Sequence, residues 1–125
     1  MEFPYQKSGD NYYPVVKLAV FFGNEKAVLE ALIDSGANIS IFGEEIAQLL
    51  GIEIERGRKI YLGGVGGRIM GYIHKLKMET AGKTFNCKAV FSREYKISFN
   101  LIGREDFFEK FVVSFDEKNK KVILK

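Results

Sequence analysis

Residues 31–42 read "ALIDSGANISIF". Three apolar residues, Ala31, Leu32 and Ile33, run straight into Asp34. A Ser35-Gly36 turn follows, and apolar character returns at Ile39, Ile41 and Phe42. This places a carboxylate at the end of a strand that reads as buried, where an unpaired charge is costly or the acid must hold a proton. Two readings fit: the acid takes part in chemistry, or Asp-Ser-Gly is simply a turn, for which its composition is ordinary. The surrounding chain has to decide.

Outward from this stretch the pattern is one of strands. "YPVVKLAVFF" (13–22) is β-branched and aromatic, "GNEK" supplies a turn, and "AVLEALI" (27–33) returns as a second strand that delivers Asp34. "NISIF" (38–42) reads as a short strand. "GEEIAQLLG" (43–51) reads as a short helix, with Glu44 and Glu45 in the first turn and Gly51 as the stop. "IEIERGRKIYL" (52–62) alternates like a strand, passes through the glycine tip "GGVGG" (63–67) and continues as "RIMGYIHKLKMET" (68–80), a long hairpin. "AGK" (81–83) turns the chain into "TFNCKAVFS" (84–92), and "ISFNLIG" (97–103) is an apolar strand ending in Gly. "REDFFEKF" (104–111) reads as a second short helix, and "VVSFDEKNKKVILK" (112–125) as two strands around a polar turn. Residues 1–12 show no period and read as an N-terminal arm, leaving 13–125 as one domain; 125 residues suit a single core.

Composition excludes several functions. With 14% aromatic residues and 13 Gly, a chain that is 46% hydrophobic leans toward a soluble, mostly β protein. The net charge of +3 comes from scattered Lys and Arg without a basic block, so nucleic acid is not implied. Cys87 is the one cysteine and His74 the one histidine, which is too few for a zinc site and leaves Ser-His-Asp catalysis without a supporting motif. A lone thiol fits a reducing compartment, and no run approaches the ~20 apolar residues of a membrane span, so the expectation is a cytoplasmic protein with no membrane contact. The glycine tip does not bind nucleotides by the dinucleotide pattern, because the last required Gly, counted from Gly64, is Ile69. "GKT" (82–84) fails as a phosphate loop, since Lys77 stands where a Gly is needed.

Three signals stand in one order: a strand ending in Asp-Ser-Gly-Ala, a glycine-tipped hairpin, and an apolar-apolar-Gly strand end. "EALIDSGANISIF" (30–42), "KIYLGGVGGRIMGY" (59–72) and "NLIGREDFF" (100–108) together resemble the retropepsin-like aspartic proteases, the single-domain family of the retroviral enzymes and their cellular relatives. The resemblance implies an all-β closed barrel with a flap hairpin, one or two short helices and a C-terminal β-hairpin. It implies that Asp34 is catalytic, with Ser35 tying two active-site loops of a dimer together, and that Gly36 and Ala37 line the substrate channel. Gly63, Gly64, Val65 and Gly66 match the flap segment that covers bound peptide. Leu32, Ile41, Leu62, Val65 and Leu101 fall where the family has pocket walls, although ordinary core packing explains each equally well. The family often carries an acid at the position of Asn38, able to pair with Arg104; with Asn38 only a neutral hydrogen bond is possible, so that contact is weaker. The segment 112–125 is similar to the C-terminal hairpin of the cellular relatives, so the way in which two chains would join is less clear than the site.

Peptide hydrolysis by this route takes two carboxylates, one as base and one as acid, and no metal or cofactor. The other aspartates, Asp10, Asp106 and Asp116, are followed by Asn, Phe and Glu, so the chain holds no second Asp-Ser-Gly. A two-fold homodimer would supply the missing group from a second Asp34 and act on peptide or protein substrates. The rival expectation is a catalytically silent dimer that grips extended peptides or a protein partner.

Overall fold

A computed structural model describes residues 1–64, 67–96 and 99–125. The chain begins in three short strands, β1 (Glu2–Pro4), β2 (Gln6–Ser8) and β3 (Asn11–Tyr13), of which β2 and β3 pair with each other. β4 (Val15–Phe22) and β5 (Glu25–Ile33) follow as an antiparallel hairpin, then β6 (Ser40–Phe42) and helix α1 (Glu44–Leu50). A 3-10 turn at Ile54–Arg56 leads into β7 (Arg58–Gly64), β8 (Gly67–Thr80) and β9 (Lys83–Phe91). The last strands are β10 (Asn100–Ile102), β11 (Val113–Asp116) and β12 (Lys121–Leu124). No helix among the described residues is long and apolar enough to cross a membrane.

Strand periodicity builds the core. On β5, Ala27, Leu29, Ala31 and Ile33 alternate inward, while the residues between them face out. Seven strands pair in the order β4-β5-β10-β6-β9-β8-β7, and β4 also pairs with β8, which closes a ring. The 14-residue β8 makes this closure possible: its first half carries β7, and Lys77, Met78 and Glu79 pair with Phe21, Val20 and Ala19 of β4. The ring encloses fully buried Val16, Val20, Phe42, Met78, Phe91 and Ile102, each contributing about 1.5–3 kcal/mol by leaving water. Helix α1 adds Ile46, Ala47 and Leu50 and ends at Gly51, whose φ of 69° is the left-handed value a helix stop favours. The Ala81-Gly82 turn between β8 and β9 has φ of 51° and 77°, both positive, as a tight two-residue hairpin needs.

Two elements differ from the sequence expectation. Residues 52–57 are not strand: Arg56 N–H donates to Glu53 O and Gly57 N–H to Ile54 O, so the chain coils before β7. Buried Ile52 and Ile54 had the spacing of a strand but point into the core from a turn, where the His74 ring bonds the Ile54 carbonyl at 2.8 Å. Residues 104–111 are successive turns rather than a helix. Asp106 has φ 70°, which breaks helical continuation, and its carboxylate accepts the Lys88 N–H at 2.9 Å. Phe107 and Phe111 still reach the core, meeting Phe85 edge to face. The expected strands 38–42 and 97–103 are shorter, starting at Ser40 and Asn100; Ile97 and Ser98 lie outside the described residues.

The two ends of the chain meet in a separate sheet of order β1-β12-β11. The Met1 ammonium donates to Leu124 O while Leu124 N–H donates to Met1 O, and Val112 and Lys125 exchange a similar pair.

Gly103 follows β10 where there is no room for a side chain: a Cβ would stand 2.5–2.7 Å from the backbone of Ile39. Gly103→Ala is therefore expected to cost about 1–3 kcal/mol, read as a lower urea midpoint with unchanged slope. Gly63→Ala places its Cβ within 4 Å of nothing among the described residues and should stay within about 0.5 kcal/mol of the parent. Equal losses at the two positions would contradict this packing.

Candidate active site

Asp34 stands one residue past β5, and its N–H donates to Ile102 O at 2.9 Å, extending the parallel pairing of β5 with β10. The acid then organises its own turn. Oδ1 accepts the Gly36 N–H at 2.9 Å and the main-chain oxygen accepts the Ala37 N–H at 3.2 Å. A side chain at Gly36 would crowd the carboxylate, its Cβ lying 3.2 Å from Oδ1. Among the described residues, Asp34 Oδ2 accepts no hydrogen bond.

The loop after Asp34 is strapped to the segment after β10. Arg104 N–H donates to Ala37 O at 2.9 Å and Glu105 N–H to Asn38 O at 2.7 Å. Arg104 also donates through Nη2 to Asn38 Oδ1. Beneath them Gly103 N–H donates to the hydroxyl of fully buried Ser40 at 3.1 Å. A charged residue on a short loop is thus held by the sheet on both sides.

The strapped loop forms one wall of a cleft of about 940 Å³, within the usual range for ligand sites. Asp34, Gly36, Ala37 and Asn38 line it, with Ile41 and Leu101, which face each other across β6 and β10. The opposite wall is the β7–β8 hairpin, through Ile60, Leu62, Gly63, Ile69 and Ile73. Of the remaining expected residues, Ser35 is exposed on the loop and Leu32 is half-buried, paired with Val15 and Leu101. Neither is among the residues that line the cleft; Val65 and Gly66 lie outside the described residues, and Gly64 is the last described residue before them.

Several lining residues were not singled out from sequence. Ile60 and Ile69 had a usable signal: Ile60 is two residues from Leu62 on the same strand face, and Ile69 is the cross-strand partner of Leu62. Tyr95 had none, because its loop position gives no period. Its hydroxyl donates to Phe99 O at 2.7 Å, and burial, with the nearby Asp34 charge, pushes its pKa up to about 12. The Tyr95 loop is clamped by Arg93, which donates to both oxygens of Glu55 (2.7 and 3.1 Å) and to Glu44 at 3.0 Å. That fork holds the Glu55 carboxyl below its ordinary range. Ser92 Oγ then donates to Met70 O at 2.6 Å, joining the loop to β8.

The described residues contain no group of three or more His, Cys, Asp or Glu placed to hold a metal ion. The chemistry on display is that of a carboxylate in an apolar-walled cleft with fixed main-chain donors beside it.

The sequence pattern described as "Aspartyl protease" matches residues 16–105, from the start of β4 through Glu105. No curated protein matches the chain. Among solved structures the chain is similar to the EIAV protease complexed with the inhibitor HBY-793. Identity is 19%, the TM-score is 0.62, and the match covers 83% of this chain and 93% of that one. At that identity the likeness establishes the fold, a retropepsin-like ring of strands. The pattern match spans most of the chain, including the Asp34 loop, the β7–β8 hairpin and β10, and by it the chain belongs to the aspartyl protease family.

Proposed function

We propose that the protein is a homodimeric aspartic endopeptidase in which two copies of Asp34, one from each subunit, activate the water that hydrolyses a peptide bond. The observation that carries this reading is the setting of Asp34. It lines the cleft, one oxygen is held by Gly36, and its loop is fixed by three backbone bonds to residues 102–105.

A second carboxylate has to come from outside this chain. Asp106 is engaged with Lys88 N–H, and Asp116 accepts from Asn119. The glutamates in the cleft are committed as well, Glu94 to Met70 N–H and Glu105 to Lys88. A two-fold axis beside Asp34 answers the need with one gene, and two carboxylates so close cannot both be charged, so they share a proton. The ionised member takes a proton from water, and the oxygen attacks the peptide carbonyl. The protonated member gives its proton to the carbonyl oxygen, and the C–N bond then breaks with the amine reprotonated. In this reading Ser35 bonds between the two loops. The tip of the β7–β8 hairpin, Gly63 through Gly66, acts as the flap, and Leu32 backs the strand rather than touching substrate. A reducing, cytoplasmic setting fits, since the single cysteine forms no internal disulfide.

Incubation with a peptide library between about pH 4 and 7, followed by mass spectrometry, is expected to yield fragments. Asp34→Asn keeps the acceptor for Gly36 N–H and should remain folded and dimeric while losing about 10²–10⁴-fold or more in kcat/KM. Peptide binding without cleavage by a confirmed wild-type dimer would point instead to the silent binder. Specific activity should fall on dilution through the dimer dissociation constant, monitored by sedimentation; a monomer that still cuts peptides contradicts the shared site. Gly63→Ala, neutral for stability, is expected to lower kcat/KM at least several-fold, because the open space beside Gly63 is where the reading puts substrate main chain.

A further inference from the structure

The apolar cleft is charged at one end. Arg58 opens β7, and the two-residue period sets it on the same face as Ile60 and Leu62, among the residues that line the cleft. Lys59, one residue on, takes the other face and lies over the Tyr61 ring at 5.8 Å. Gly64 is six positions on from Arg58, about 20 Å of strand, so the guanidinium belongs to the base of the hairpin rather than its tip.

Lys88 and Glu105 also line the cleft, and Lys88 Nζ and Glu105 Oε1 pair at 2.7 Å, so each satisfies the other. Arg58 is close enough for its charge to act on the Lys88 ammonium, and among the described residues it makes no ion pair of its own. The result is a surplus positive charge beside apolar Ile60 and Ile73. Beside a neutral side chain the exposed guanidinium would stay hydrated and gain nothing, and a basic one would meet both Arg58 and Lys88. A carboxylate fits the fork of the guanidinium with two parallel hydrogen bonds.

We infer that this end of the cleft is a subsite for an acidic side chain of the substrate, and that Arg58 is its specificity-determining residue. The inference rests on the protease reading above and adds the substrate class. In this reading the acid sits on a flank of the scissile bond, since Arg58 opens β7 six positions before Gly64.

The test uses the wild-type dimer and sets of peptides identical except for Glu, Gln or Lys at one position, moved stepwise away from the scissile bond. At one flanking position kcat/KM should rank Glu over Gln over Lys, with about two- to fivefold between Glu and Gln for an exposed pair. Arg58→Gln should bring Glu and Gln level, and Arg58→Glu should reverse the order so that Lys leads. Lys59→Glu makes the same charge change on the opposite face and should leave the ranking as it is. Equal cleavage of all three peptides at every position, or the same reversal from Lys59→Glu, overturns the subsite while the protease reading stands. Absence of any cleavage by a folded dimer overturns both.

Discussion

The passage of Gly103 over the backbone of Ile39 is the contact on which the site depends. Because nothing larger than hydrogen fits between them, β10 can lie between β5 and β6 and pair with both, parallel to one and antiparallel to the other. That insertion gives Asp34 N–H its acceptor on Ile102 and brings residues 104 and 105 against Ala37 and Asn38. It also lets buried Ser40 answer the Gly103 N–H, a donor that would otherwise be orphaned inside the protein. A carboxylate on a free loop would sample many positions. Here the loop is anchored at three points, by Asp34 N–H on Ile102 O and by the N–H groups of Arg104 and Glu105 on Ala37 O and Asn38 O.

How far this could be read from the chain divides by the range of the forces involved. The β4–β5 hairpin, α1, β8, β9 and the final hairpin were plain from period and turn residues, since these are local preferences. The failures occurred where tertiary contacts override a local pattern. Ile52 and Ile54 alternate like a strand, yet the His74 ring takes the Ile54 carbonyl and the chain coils instead. Residues 104–111 have helix-like charges at both ends, but the Asp106 carboxylate is worth more as an acceptor for Lys88 N–H, and the left-handed backbone this requires ends any helix. In the cleft, the Asp34 loop and Leu62 were visible through motif and spacing. Ser40 and Tyr95 were not, because a buried hydroxyl under a glycine and a ring held by a three-residue ionic clamp have no signature in one dimension.

The closed terminal sheet changes the question of how two chains could meet. β1 has β12 as its partner and β12 also has β11, so the inner strand has no backbone groups to offer. Only the outer edges of β1 and β11 remain, and Met1, Val112 and Phe115 are exposed near them. A subunit contact made by interleaving the termini would first have to break the Met1–Leu124 and Val112–Lys125 pairs. A contact that adds to the outer edges would break none, which makes it the less costly arrangement for this chain.

A two-fold site has a further consequence for charge. Whatever one subunit places in its cleft, the other repeats on the far side of the axis, so a pair of Arg58 guanidinium groups would flank one scissile bond. A peptide has direction and the site does not. An acidic side chain on either flank therefore meets the same chemistry, and a substrate with an acid on each flank would meet it twice. In such a dimer the apolar walls, Ile41, Ile60, Leu62 and Leu101, would be duplicated likewise, and they would draw in the apolar part of a peptide without distinguishing its ends. Discrimination between sequences then has to come from the few polar groups in the cleft. Lys88 and Glu105 largely cancel each other, which leaves Arg58, with Glu94 and Lys96 of the neighbouring loop, as the charges a substrate is in a position to notice.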